Sequence, residues 1–151
     1  MNSDFKDLLR FLNEEKVSYM IAGGYAVIHH SQPRYTKDLD IWIKPSLENA
    51  DALMRVFQKF GIPLMGLSRD DFAAVGTQLN LGVEPSQIDL LTVIPGLDFD
   101  QAWEGHVTTD GEGFPIHYLG KPDLIKAKQT AGRPQDLADL DELRRSDLDY
   151  E

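Results

Sequence analysis

The sequence contains no cysteine, which excludes disulfides and zinc–thiolate sites. It has no apolar run approaching the roughly 20 residues needed to span a bilayer. The first residues, MNSDFKDLLRFLNEE, are acidic and amphipathic, without the apolar centre of a signal peptide, so a cytoplasmic protein is the expectation. No repeat, low-complexity tract or convincing linker interrupts the chain, and residues 1–151 read as a single domain. Positive charge is scarce: 15 Lys and Arg stand against 25 Asp and Glu, giving a net charge of −10. Proteins that grip nucleic acid over many phosphates present a basic face, because phosphate neutralisation supplies most of the affinity. Extended duplex binding is therefore not expected, whereas a few basic residues suffice for one triphosphate or an RNA end. With 42% hydrophobic residues the chain has the material for a globular core.

What is present is concentrated between Tyr19 and Lys44, YMIAGGYAVIHHSQPRYTKDLDIWIK. Tyr19 to Ala22 reads as a buried strand, Gly23 and Gly24 follow, and a short helical segment runs from Tyr25 to about His30. After a Ser-Gln-Pro turn comes a second apolar run carrying Asp38 and Asp40. Side chains two apart on a strand share a face, so the two carboxylates point one way and Leu39, Ile41 and Ile43 the other. Adjacent buried carboxylates repel and call for a cation. Hard oxygen donors suit Mg²⁺, which often uses one or two protein carboxylates and completes its shell from phosphate and water. A bare Asp-x-Asp also fits one turn-capping and one solvated Asp. The upstream glycine pair favours the cation, since glycines between strand and helix let the backbone approach a ligand, and helix N-termini bind phosphate.

Gly23-Gly24, a spacer over 25–37, then Asp38-Leu39-Asp40-Ile41 resembles the signature of the DNA polymerase beta-type nucleotidyltransferase superfamily. The string Gly-Gly-Tyr-Ala, then Arg34, Thr36, Asp38 and Asp40, is similar to the AbiEii-type toxin nucleotidyltransferases, and also to the small antibiotic nucleotidyltransferases. It covers the first sixty or so residues well and the remainder more loosely. The resemblance implies an α/β (α+β) fold: a short, mixed, twisted sheet with helices mainly on one face. It further implies two Mg²⁺ ions (Mn²⁺ as the alternative) and transfer of an NMP from an NTP such as ATP to a hydroxyl.

Elsewhere, helical spacing of Phe5, Leu8, Leu9 and Leu12 places a helix over 4–15. Ser46 as N-cap and Gly61 beyond the end bracket a second, with Leu53, Phe57 and Phe60 as its core stripe. Residues 61–71 read as a connection with Asp70-Asp71 as a cap or solvated turn. Gln78 to Gly82 and Gln87 to Ile94, around Val83-Glu84-Pro85-Ser86, read as an antiparallel hairpin. Its second run holds Asp89 among apolar residues, and a charge there is paired, metal-bound or at an edge. The resemblance makes Asp89 the third carboxylate, as metal ligand or general base. Asp98 caps a short helix, Asp110-Gly111-Glu112-Gly113 joins a second hairpin, and helices follow over 121–131 and 135–144, with a frayed tail over 147–151.

Lys121, Lys126, Lys128 and Arg133 make the late chain locally basic, and the string Ala-Gly-Arg-Pro-Gln-Asp-Leu-Ala-Asp is similar to the closing helix of AbiEii-type proteins. Lys128, ahead of Lys126, is the candidate for triphosphate oxygens, the alternative being a solvated cationic face. Arg34, with Thr36, is either a phosphate contact or a salt-bridge partner of Asp38. His29 and His30 cap or pack rather than ligate. The resemblance thus assigns Asp38, Asp40 and Asp89 to catalysis and metal, and Gly23, Gly24, Tyr25, Arg34, Thr36 and Lys128 to the nucleotide. The acceptor stays open between an RNA end, a protein hydroxyl and a small antibiotic, with a cognate toxin or antitoxin as partner. A silent nucleotide- or partner-binding protein is the remaining reading.

Overall fold

A computed structural model describes residues 1–36, 38–83 and 85–148, with backbone alone for 147 and 148. The apolar stripe of the first segment builds α1 (Ser3–Glu14), whose first turn donates Phe5 N–H to the Asn2 side chain at 2.9 Å. β1 (Tyr19–Ala22) runs directly into α2 (Gly23–His30), and β2 (Asp38–Ile43) follows the Pro33 turn. α3 (Leu47–Phe60) starts at Ser46 and stops at Gly61, which takes the left-handed conformation that ends helices.

α4 (Arg69–Ala73) replaces part of the expected connection: Ser68, not Asp70 or Asp71, is the cap, and Asp71 returns a hydrogen bond to the Ser68 N–H at 2.7 Å. The two hairpins form as expected, β3 (Gln78–Leu81) with β4 (Gln87–Leu91) and β5 (Val107–Asp110) with β6 (Pro115–Tyr118). Glu84 of the first turn lies outside the described residues. Between them, α5 (Phe99–Glu104) is capped by Asp98. α6 (Lys121–Ala131) ends on Gly132, and α7 (Pro134–Leu148) outlasts the expected helix by more than a turn at its far end. The frayed tail expected beyond it falls largely outside the described residues.

The six strands form one mixed sheet in the order β3-β4-β2-β1-β6-β5. β2 is antiparallel to β1 and parallel to β4, and β1 is parallel to β6. Alternation divides the core. Tyr19, Ile21, Leu39, Ile41, Ile43, Ile88 and Leu90 pack with α1, α3 and Phe72 of α4 on one face. Met20, Ala22 and Trp42 pack with Ala26 and Val27 of α2, Phe99 and Ala102 of α5, Leu124 of α6 and Leu143 of α7 on the other. Helices thus lie on both faces. The helices expected mainly on one face have company on the second because Trp42, only 2% exposed, gives that face an apolar half of its own.

Each fully buried side chain of this kind contributes roughly 1.5–3 kcal/mol. Asn49, itself buried, ties α3 to both central strands: it accepts from Ser18 N–H (2.7 Å) and donates to Ser18 O (3.0 Å) and Lys44 O (2.9 Å). That clamp joins the residue before β1 to the residue after β2, at the end of the strand pair opposite the glycine turn.

Candidate active site

The second face of the sheet is apolar toward Trp42 and acidic toward the start of β2. Asp38 and Asp40 share the Trp42 face by alternation, and the parallel register sets Asp40 opposite Asp89. Asp89 is 9% exposed, accepts from Gln87 Nε2 at 2.9 Å, and lies within hydrogen-bonding reach of Asp40. Burial first, then the Asp89 and Asp38 carboxylates, push the Asp40 carboxyl up to about 7, against a smaller opposing pull from Lys128. The three aspartates named from the sequence therefore come from two strands into one neighbourhood. Among the described residues, no group of three His, Asp or Glu side chains stands ready to hold a metal ion.

The glycine pair meets them from above. Gly23 has φ +60, and a Cβ there would overlap the Asp40 carboxylate. A Cβ on Gly24 would come within 2.5 Å of Thr36 Oγ1. Both positions thus require glycine for close approach, and they open α2 with no side-chain cap, leaving its first N–H groups without partners inside the helix. Gly23, Gly24, Arg34, Tyr35, Thr36, Asp38, Asp40 and Lys128 line a common cavity of about 590 Å³, closed on the far side by Arg133 to Asp136 and Asp139 of the α6–α7 corner. Tyr25 does not line this cavity. It is partly buried in the first core, edge-on to Phe5 with ring centres 5.7 Å apart.

Arg34 pairs with Asp139 of α7, not with Asp38. Lys128 reaches Asp139 at 3.0 Å and Asp136 at 3.2 Å, and Arg133 reaches Asp136 at 2.7 Å. Asp136 and Asp139 are each 1% exposed. Burial alone pushes both carboxyls up. Arg133 and Lys128 outweigh it at Asp136, and Lys128, Arg34 and Gln135 do so at Asp139, so both are held below the usual carboxylate range. Lys126 is exposed and does not line the cavity. His30 Nε2 donates to Leu119 O at 2.8 Å, and His29 stacks on Tyr118, which makes both packing residues as expected.

The sequence placed Asp136 and Asp139 in the string that resembles a closing helix beside the site, without naming their partners. Their pairing with cations on α6 and on the loop before β2 is not local, and beyond that string the signal is two acids one helical turn apart after Arg133. Tyr35, 73% exposed at the cavity wall, carried no signal beyond its neighbours.

No family model matches the chain, and no curated protein matches it. Solved structures do. A provisionally assigned nucleotidyltransferase, TM1012 from Thermotoga maritima, aligns over 98% of this chain and 92% of its own with TM-score 0.61 and 17% identity. The lincosamide antibiotic adenylyltransferase LnuA, in a lincomycin-bound structure, aligns over 95% of this chain and 96% of its own with TM-score 0.60 and 16% identity. Neither is described as an AbiEii-type toxin, so that closer resemblance rests on the motif string. The chain has the fold of these nucleotidyltransferases, over nearly its whole length.

Proposed function

We propose that this chain transfers a nucleoside monophosphate from an NTP to a hydroxyl acceptor and releases pyrophosphate. One observation carries the reading: a glycine pair opening α2 is pressed against a carboxylate that already has a second carboxylate beside it. A helix N-terminus attracts phosphate and clustered carboxylates repel it, and a divalent cation shared between them reconciles the two.

The residues fit such an ion. Their donors are all carboxylate oxygens, and the Asp40 carboxyl is pushed up first by burial and then by the Asp89 and Asp38 carboxylates, both of which a bound cation would offset. Mg²⁺ needs one or two protein carboxylates, so a ready-made three-ligand cage is not required. Asp38 and Asp40 would hold it, with Asp89 adjoining, and Mn²⁺ suits the same donors. When bound, such ions stabilise charge on the transferring phosphoryl and the leaving pyrophosphate.

The chain's own groups do the positioning. Gly23, Gly24 and the N–H groups that follow seat the β- and γ-phosphates, with Thr36 beside them. Lys128 and Arg34, held by Asp139, present positive charge on the facing wall. The exposed Tyr35 ring offers the base a stacking surface. Asp89 does not line the cavity itself and acts through Asp40, the pair of carboxylates taking up the proton of the attacking hydroxyl.

A toxin–antitoxin setting, with a tRNA end or protein hydroxyl as acceptor, is supported by the motif string, while the net charge of −10 opposes a broad RNA interface. LnuA, a chain matched over 96% of its length, is an antibiotic adenylyltransferase, so a chain of this size suffices for a small acceptor as well.

The test is to incubate the full chain with each α-labelled NTP, Mg²⁺ and cell lysate, alongside Asp38→Asn and Asp40→Asn. Label transfer is expected to fall by about a thousandfold or more in each variant, in line with lost electrostatic stabilisation, while circular dichroism stays native. Undiminished transfer in the variants excludes the assignment.

A further inference from the structure

A second cavity, of about 250 Å³, borders Asp40 on the side away from Thr36 and Arg34. Its inner wall is buried and apolar: Ala22, Leu119 and Leu124. Ile94 and Pro95 form one rim and α6 the other, and the two are locked together where Gly96 meets Thr130. A Cβ on Gly96 would lie 2.9 Å from Thr130 Oγ1.

The space exists because α6 turns two alanines, Ala127 and Ala131, one turn apart, toward it where larger residues would fill it. Four of its five polar or charged side chains gather at the end shared with the first cavity, Asp40, Lys128, Arg133 and Asp136, and Gln78 of β3 is the fifth. A largely apolar cleft with polar groups converging at one end is the form of a small-molecule site, and its volume falls just below the roughly 300–1,000 Å³ typical of them, which suits a compact ligand.

We infer that this cleft holds the acceptor, and that the acceptor is a small hydroxylated molecule with a compact apolar body, neutral or cationic. The inference rests on the nucleotidyl-transfer reading and adds to it the class of the second substrate. The larger cavity, flanked by the glycine turn, takes the NTP, and Asp40 stands at the boundary between the two. A hydroxyl entering from the Ala131 rim reaches the α-phosphorus beside Asp40. Its oxygen forms the new P–O bond, the bond from α-phosphorus to the α,β-bridging oxygen breaks, pyrophosphate departs with that electron pair, and the hydroxyl proton passes to the Asp40–Asp89 carboxylate pair, whose Asp40 lines both cavities. A polyanionic acceptor is disfavoured by the net charge of −10. An apolar wall of three buried aliphatic residues suits a hydrocarbon or sugar-ring body better than a phosphodiester chain.

The experiment divides a cell lysate into material below 1 kDa, RNA and protein. Each fraction is incubated with the full chain, Mg²⁺ and α-labelled ATP, GTP, CTP or UTP. Label is expected in the small-molecule fraction. Label confined to RNA or to protein overturns the inference while leaving nucleotidyl transfer intact. Labelling of no fraction by a chain that binds Mg–NTP overturns it as well, and failure to bind Mg–NTP at all overturns the nucleotidyl-transfer reading with it. Ala131→Leu, at an exposed helix end that tolerates leucine, then tests the location. It is expected to raise the KM for the labelled small molecule at least tenfold with the NTP KM unmoved. An equal rise in both, or in neither, assigns the acceptor elsewhere.

Discussion

At the scale of single residues, Asp40 gives the sharpest consequence of the site's electrostatics. Its folded-state pKa of about 7 lies above the ordinary 3.8, so between those values this carboxyl holds a proton in the folded protein that it loses in the unfolded chain. Its contribution to the stability of the metal-free protein is therefore present at low pH and lost as pH rises through about 7, on the order of a few kcal/mol. His29, His30 and His117, held below the usual imidazole range by burial, contribute in the opposite direction over part of the same window. In urea unfolding from pH 5 to pH 8 the parent protein is expected to lose stability relative to Asp40→Asn, the histidine contribution being common to both, and added Mg²⁺ to restore the parent at pH 8. Parallel profiles for the two proteins mean that the carboxylates are not coupled. Gly23 offers a second test with its own control. Gly23→Ala strains a positive-φ position and drives a methyl group into the Asp40 carboxylate. Gly61→Ala strains a positive-φ position with nothing within 4 Å. Both are expected to lose about 1–3 kcal/mol, and Gly23→Ala alone to lose transfer activity, by about a hundredfold or more given the sensitivity of such chemistry to misplacement.

At the scale of elements, α7 is fastened over the site by charge as well as by Leu143. Asp139→Ala would take the Asp139 partner from Arg34, 26% exposed, and leave Lys128, 12% exposed, with Asp136 alone. Breaking a buried pair costs about 3–5 kcal/mol, and the partial exposure of Arg34 places the expected loss near the low end. By contrast Lys44→Ala, which breaks a pair with the well-exposed Asp100, is expected to cost under about 1 kcal/mol by the same urea measurement. The contrast also explains what could be read from the sequence. α3 was legible because its punctuation, Ser46 and Gly61, is local, and β2 because its alternation is. The hairpins followed from turn residues between apolar runs. α4 was passed over although Ser68 and Asp71 have capping-box spacing, since five residues carry little periodicity. Asp38, Asp40, Gly23 and Gly24 were legible as a compact ordered string. The pairing of Arg34 with Asp139, 105 residues away, was not, because a long-range ion pair leaves no mark on either neighbourhood. Tyr25 was carried into the site with the glycines beside it, yet a helix turns successive side chains by about 100°, and this one faces Phe5.

At the scale of the whole molecule, the field and the proposed substrate have the same sign. The net charge of −10 opposes the approach of an NTP, whereas Lys128, Arg34 and Arg133 attract it only within a few ångströms and are largely neutralised by Asp136 and Asp139. Long-range repulsion is screened by salt, with a Debye length of about 30 Å at 0.01 M and about 10 Å at 0.1 M, while contacts inside the cavity are screened far less. The association rate of Mg–NTP is therefore expected to rise severalfold over that range, opposite to the fall seen with basic nucleic-acid binders. Stopped-flow binding of a fluorescent nucleotide measures it, and total tRNA at micromolar concentration is expected not to compete. A rate that fell with salt would mean that the local cations outrun the bulk field, and an RNA acceptor would then regain its electrostatic footing. The sign of one salt dependence thus separates the two acceptor classes on a property of the entire surface, independently of any residue in the site.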